Sequence, residues 1–130
     1  MKTKHDVLRV NHEFYSAFRS GDYARMDALW AQKHDVSVYH PNWAGIEGRD
    51  AVMASWFEVM VVAQPPMVTV RDECVVMNGR RAMVLCTECF GQTQIVASNL
   101  FVHEDGEWKM THHQATHLPD NADSPPRPNG

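Results

Sequence analysis

The sequence lacks a basic run. Twelve Lys and Arg face sixteen Asp and Glu over 130 residues, for a formal net charge of −4. A nucleic-acid binder needs a positive face to release counterions, and a polybasic membrane-surface protein needs clustered Lys and Arg, so both classes are excluded as expectations. No apolar run approaches the ~20 residues that span a bilayer. The opening segment, MKTKHDVLRVNHEF, has no continuous apolar stretch and does not read as a signal peptide. Cysteine is scarce: three residues, an odd count that cannot pair fully within the chain. Reduced thiols in a cytoplasmic protein are the expectation. No internal repeat is present. Hydrophobic residues make up 44% and charged residues 22%, as in an ordinary folded domain and unlike a disordered chain.

The organisation follows from hydrophobic spacing. Residues 1–118 read as one domain. Residues 119–130, rich in Pro and polar residues (DNADSPPRPNG after Pro119), read as a flexible tail with no apolar area to bury. Val7, Val10, Phe14 and Phe18 step by three and four, which predicts a helix ended at Ser20-Gly21. Asp22 caps a second short helix with Met26, Leu29 and Trp30. Asp35 to His40 alternates as a strand that Pro41 ends. A third helix starts near Arg49-Asp50 and carries Val52, Trp56, Val59 and Met60 as far as Pro65-Pro66, with Arg49 helping to cap or tether it. The second half predicts a β-meander: Met67 to Met77, an Asn78-Gly79 turn, Ala82 to Phe90, Ile95 to His103, an Asp105-Gly106 turn, and Trp108 to Thr116. Segregated helices and strands imply α+β, with helices on one face of a curved, mainly antiparallel sheet enclosing an apolar pocket.

This pattern resembles the nuclear transport factor 2-like superfamily, in its SnoaL-like and ketosteroid-isomerase-like branch, over about residues 5–118. The resemblance rests on FYSAFRSGD (Phe14–Asp22), VSVYHP (Val36–Pro41), GRDAV (Gly48–Val52), Trp56 and DGEWKM (Asp105–Met110). It implies a cone-shaped α+β barrel with a deep apolar pocket and a homodimer through the sheet face. The fold hosts isomerases, cyclases, hydrolases, dehydratases and pure binding domains, so it does not specify an activity. The isomerase branch pairs a first-helix tyrosine and a protonated acid with an Asp base. Carried over by position, these fall on Phe14, on or near Asn99, and on His40. All three differ from the isomerase set.

Candidate residues follow. His40 is a possible base, with an ordinary pKa near neutrality. Asn99, mid-strand on an apolar face, is a possible carbonyl or oxyanion donor. Glu88 is in phase with Val84, Cys86 and Phe90, where a carboxylate needs a partner or a raised pKa. Phe14, Tyr15, Trp43, Trp56, Phe101, His112 and His113 are candidate ligand-binding positions, with Trp43 and Trp56 near the pocket mouth. A two-residue turn at Asp105-Gly106 sets Asn99 opposite His112. A bulge at Gly106 sets it opposite His113. Cys86-x-x-Cys89 lies on a strand, where residues three apart face opposite sides, so neither a metal nor a disulfide is expected there. No cofactor and no metal are expected.

Three functions stay open. One is a cofactor-independent isomerase, cyclase or hydratase/hydrolase acting on an apolar small molecule. The others are a non-catalytic binding module and a dimerisation domain. Val96, Ser98, Leu100 and Val102 form a face too apolar for a monomer to leave in water, which supports a two-fold interface.

Overall fold

The apolar stripe of the first segment forms helix α1, Lys4–Ser20, and buries Val7, Val10, Phe14 and Phe18. The computed structural model describes residues 3–118. The Thr3 side chain accepts from Asp6 N, and the Asp6 side chain accepts from Thr3 N, a reciprocal N-terminal cap. Gly21 ends α1 at φ 67, in the left-handed region. A Cβ there would also lie 2.7 Å from Pro65 Cγ, so both conformation and space call for glycine. Asp22 caps α2, Tyr23–Leu29, by accepting from Arg25 N.

Strand β1, Ser37–Tyr39, is shorter than the expected Asp35–His40 stretch. Only these three residues pair with β6, and the pairing is parallel. Between β1 and the third helix lies a second short strand that no sequence signal marked, β2, Ile46–Glu47, antiparallel to β1. Helix α3, Arg49–Phe57, does not run on to Val59 and Met60 as an α-helix. It widens into a π-helical turn, Glu58–Val62. Arg49 ties α3 to the end of α2, donating to Asp27 Oδ1 (2.8 Å) and to the carbonyls of Asp27, Trp30 and Ala31.

Four long antiparallel strands follow: β3 Thr69–Asn78, β4 Arg81–Phe90, β5 Thr93–Glu104 and β6 Glu107–His117. The sheet order is β2-β1-β6-β5-β4-β3. The fold is α+β, three helices on a six-stranded, mostly antiparallel sheet. Two irregularities steer side chains. In β3 the register shifts between Arg71 and Cys74, where Asp72 takes φ 57. In β6 the extra residue is Thr111: Phe101 pairs with Met110, and Leu100 pairs with His112. The core lies between the helices and the inner sheet face, with Trp30, Trp56, Tyr15, Phe14 and Phe101 fully buried. The expected tail lies outside the described residues.

Candidate active site

Strand alternation on β4 turns Val84, Cys86 and Glu88 to the inner face. On β6 the extra residue at Thr111 lets Met110 and His113, three apart, both face inward. The Asp105-Gly106 turn itself is the tight two-residue form, with Glu104 opposite Glu107, and the bulge lies further along the strand. The result sets Asn99 opposite His113, while His112 faces the outer side.

These placements bring five polar side chains into one buried network. The Tyr15 hydroxyl donates to Glu88 Oε2 at 2.6 Å. Asn99 Nδ2 donates to Asn11 Oδ1 (2.8 Å) and to the Tyr15 oxygen (3.1 Å). Asn99 Oδ1 is bonded to His113 Nδ1, and His113 Nε2 lies 3.8 Å from Glu88 Oε2. His40 is buried beside it, its ring 4.7 Å from Trp56, which also touches His113. His40 Nε2 meets Ser55 Oγ at 2.9 Å, and that hydroxyl donates to Val52 O at 2.6 Å. With its hydrogen so used, Ser55 accepts from His40 Nε2–H, which leaves Nδ1 as the basic nitrogen.

Burial sets the charge states. It pushes the Glu88 carboxyl up to about 7, with the Tyr15 hydrogen bond pulling the other way. It pushes His40 down to about 4 and His113 to about 3, the nearby His40 and His112 also acting on His113. It raises the Tyr15 phenol well above its ordinary value, helped by the neighbouring Glu88. The low-dielectric site therefore sets neutral imidazoles beside a carboxyl that keeps its proton up to about neutral pH.

Glu88, His40 and His113 reach the wall of a cavity of about 420 Å³. Phe18, Trp43, Val59, Phe90 and Ile95 supply most of its apolar lining. Gln64, Thr93 and His117 add polar groups. Gln64 is held at φ 72 just before Pro65, a strained backbone placed at the cavity wall.

The structure separates the other candidates. Trp43 lines the cavity and packs on His40 at 5.0 Å. Trp56, expected near the mouth, is instead fully buried beneath it, because α3 turns that face onto Phe14 and Phe18. Phe14 is core, in contact with Trp56 and His113. Tyr15 is buried and reaches the cavity only through Glu88. Asn99 is not at the cavity wall, and its amide is taken up by Asn11, Tyr15 and His113, so it is not presented to a ligand. Phe101 lies six residues along β5 from Ile95, roughly 20 Å away, beside a separate recess. His112 accepts or donates on the outer face with Ser37 and Gln114. Cys86 is buried inward and Cys89 is half-buried, both as free thiols.

Sequence reasoning missed Asn11, Ser55, Gln64 and Glu73. A signal for Asn11 was present: it sits in the buried stripe between Val7 and Phe14, where a polar residue needs a partner.

No curated protein matches this sequence. A solved structure from Streptomyces avermitilis, described as a "putative dehydratase" of the NTF2-like family, is 26% identical with a TM-score of 0.80, covering 88% of this chain and 95% of that one. A Thiobacillus denitrificans structure, described as a "putative calcium/calmodulin-dependent protein kinase type II association domain", is 27% identical with a TM-score of 0.73, covering 85% and 93%. An NTF2-like protein of unknown function from Pseudomonas putida shares the fold at 19% identity and a TM-score of 0.76, covering 93% and 92%. The family model for the SnoaL-like domain matches residues 7–119, and the chain belongs to that family.

Proposed function

We propose that this chain is a cofactor-independent acid–base enzyme for a small, mainly apolar, oxygen-bearing molecule, and that it removes or adds water or moves a proton. The observation that carries this reading is the buried Glu88 carboxyl, its pKa raised by burial, held by Tyr15 and 3.8 Å from His113 Nε2 at the wall of a largely apolar cavity. In a dehydration, His40 Nδ1 takes a proton from the carbon next to the departing oxygen. Glu88 gives its proton to that oxygen. A C–H and a C–O bond break, a C=C bond forms, and water leaves. The proton on His40 then returns to Glu88, with His113 Nε2 as the adjacent acceptor. Acid and base are both supplied by side chains. The Streptomyces avermitilis relative's description as a dehydratase supports the water-elimination form.

A second reading is a non-catalytic binding or association module. The Thiobacillus denitrificans relative's description favours it. In both readings a second copy covers the outer sheet face, where Val76, Leu85 and Val96 are each 40% exposed or more; Val102, expected on that face, is instead buried in the core. The proposed setting is the cytoplasm, where the three cysteines would stay reduced.

The test is native mass spectrometry of protein freshly isolated from cells, followed by incubation of any released molecule with the protein in heavy water. The enzyme reading predicts a defined extra mass. It also predicts that the molecule gains deuterium or changes by one water, and that Glu88→Gln abolishes this. A bound molecule left unchanged by wild type would favour the binding module. No bound molecule and no occupancy by apolar probes would overturn both ligand-based readings.

A further inference from the structure

A chain of hydrogen bonds leads from the protein surface to His113. His12 Nε2 meets Glu73 Oε1 at 2.9 Å, in an exposed position on α1. Glu73 Oε2 accepts from Asn11 Nδ2 at 3.0 Å. Asn11 Oδ1 accepts from Asn99 Nδ2, and Asn99 Oδ1 faces His113 Nδ1. Asn11, Asn99 and His113 are all buried.

Each link fixes the next. A carboxylate cannot donate, so Glu73 forces Asn11 to present its NH₂ group outward and its oxygen inward. That oxygen forces Asn99 to turn its NH₂ group toward Asn11, leaving its oxygen toward His113. An oxygen there requires the proton on Nδ1 of a neutral imidazole. Nε2 is then the lone-pair nitrogen, and it is the one beside Glu88. The same order makes the Tyr15 oxygen an acceptor from Asn99 and sends its hydrogen to Glu88.

The backbone places Glu73 for this task. Val70 packs against the core and Val75 is buried, an odd number of residues apart. Strict two-residue alternation forbids that. The extra residue between Arg71 and Cys74 permits it and aims Glu73 at α1.

We infer that Glu73 is a positioning residue: through the Asn11 and Asn99 amides it sets the tautomer of His113 and so holds the Nε2 lone pair against Glu88. The catalytic consequence rests on the acid–base reading above. The tautomer does not, and it is measurable without substrate.

The experiment is long-range proton–nitrogen correlation NMR at neutral pH on the full chain, with histidine labelled in nitrogen-15 and His113 identified by its loss in His113→Gln. Wild type is expected to show His113 with Nδ1 protonated. Glu73→Lys puts a donor where the acceptor was. It is expected to flip both amides and move the proton to Nε2, while His40, anchored by Ser55, stays protonated on Nε2. Glu73→Ala, which removes the anchor with less disruption, is expected to give a mixture. Wild-type His113 protonated on Nε2 would overturn the inference even if no variant folds. So would Nδ1 protonation that persists unchanged in both folded variants. If the tautomer responds but no substrate is turned over, the acid–base reading fails and the positioning role stands. If turnover depends on Glu88 but the tautomer ignores residue 73, the reverse holds.

Discussion

The Tyr15 hydroxyl, on the first helix, donates to Glu88 Oε2 on β4 at 2.6 Å, across 73 residues of sequence and with both side chains buried. This bond holds the carboxyl in place and opposes the rise that burial imposes on its pKa. Tyr15→Phe leaves Glu88 without this donor. The variant is expected to lose about 1–3 kcal/mol of stability in denaturant titration. Its Glu88 midpoint is expected to move above the wild-type value in a carboxyl NMR titration.

Glu88 also makes stability depend on pH. Its folded pKa, about 7, lies above its ordinary value of 4.5. The folded state therefore binds this proton more tightly than the unfolded state. The stability so gained is full below pH 4.5 and is lost as pH rises to 7. His40, lowered to about 4, acts in the opposite sense: its contribution is present above pH 6.5 and lost as pH falls toward 4. His113 has the same sign as His40. Glu88→Gln removes only the first effect. Measured against wild type, the variant is expected to gain stability steadily from pH 4.5 to 7, by roughly 3 kcal/mol. A pH-independent difference would contradict the assignment.

Gly21 joins two demands at one residue, a positive φ and a 2.7 Å approach to Pro65. Gly21→Ala is expected to cost about 1–3 kcal/mol in thermal or denaturant unfolding. Because Pro65 follows the cavity residue Gln64, the substitution is also expected to weaken ligand binding. Gly79→Ala has open space around its Cβ and carries only the backbone penalty, so it serves as a control.

The outer sheet face offers a separate prediction. Leu85 and Val96 lie on neighbouring strands and are 40% and 43% exposed. Leu85→Glu combined with Val96→Glu is expected to convert a dimer to a monomer in size-exclusion chromatography with light scattering. A wild-type monomer at micromolar concentration would contradict the two-fold interface.

The parts of the fold set by local patterning were legible in the sequence. The α1 stripe, the Asp22 cap and the inward phase of Glu88 all follow from residues close together in the chain, and the Asn78-Gly79 signal finds the hairpin, although Asn78 still pairs with Arg81 and the turn is Gly79-Arg80. Features set by long-range geometry were not. The two-residue strand β2 forms only because β1 lies beside it. The choice between His112 and His113 depended on an extra residue at Thr111 that no turn motif announces. Asn99 was legible as a buried polar residue, but its partners Asn11 and Tyr15 lie 88 and 84 residues away. The resemblance puts the family's helix tyrosine on Phe14, which has no hydroxyl, and Tyr15 stands one residue on. Phe14 and Tyr15 are in fact both buried, so a one-residue rotation still reaches the inner side of the sheet.

The acid role depends most on Glu88 keeping its proton up to about neutral pH at the cavity wall. The direct measurement is a pH titration of carbon-13-labelled glutamate carboxyls by NMR, with Glu88 identified by its loss in Glu88→Gln. The account predicts a midpoint near 7 for Glu88. A midpoint in the ordinary glutamate range of about 4.3 would mean an ionised carboxylate at neutral pH and would contradict the acid role.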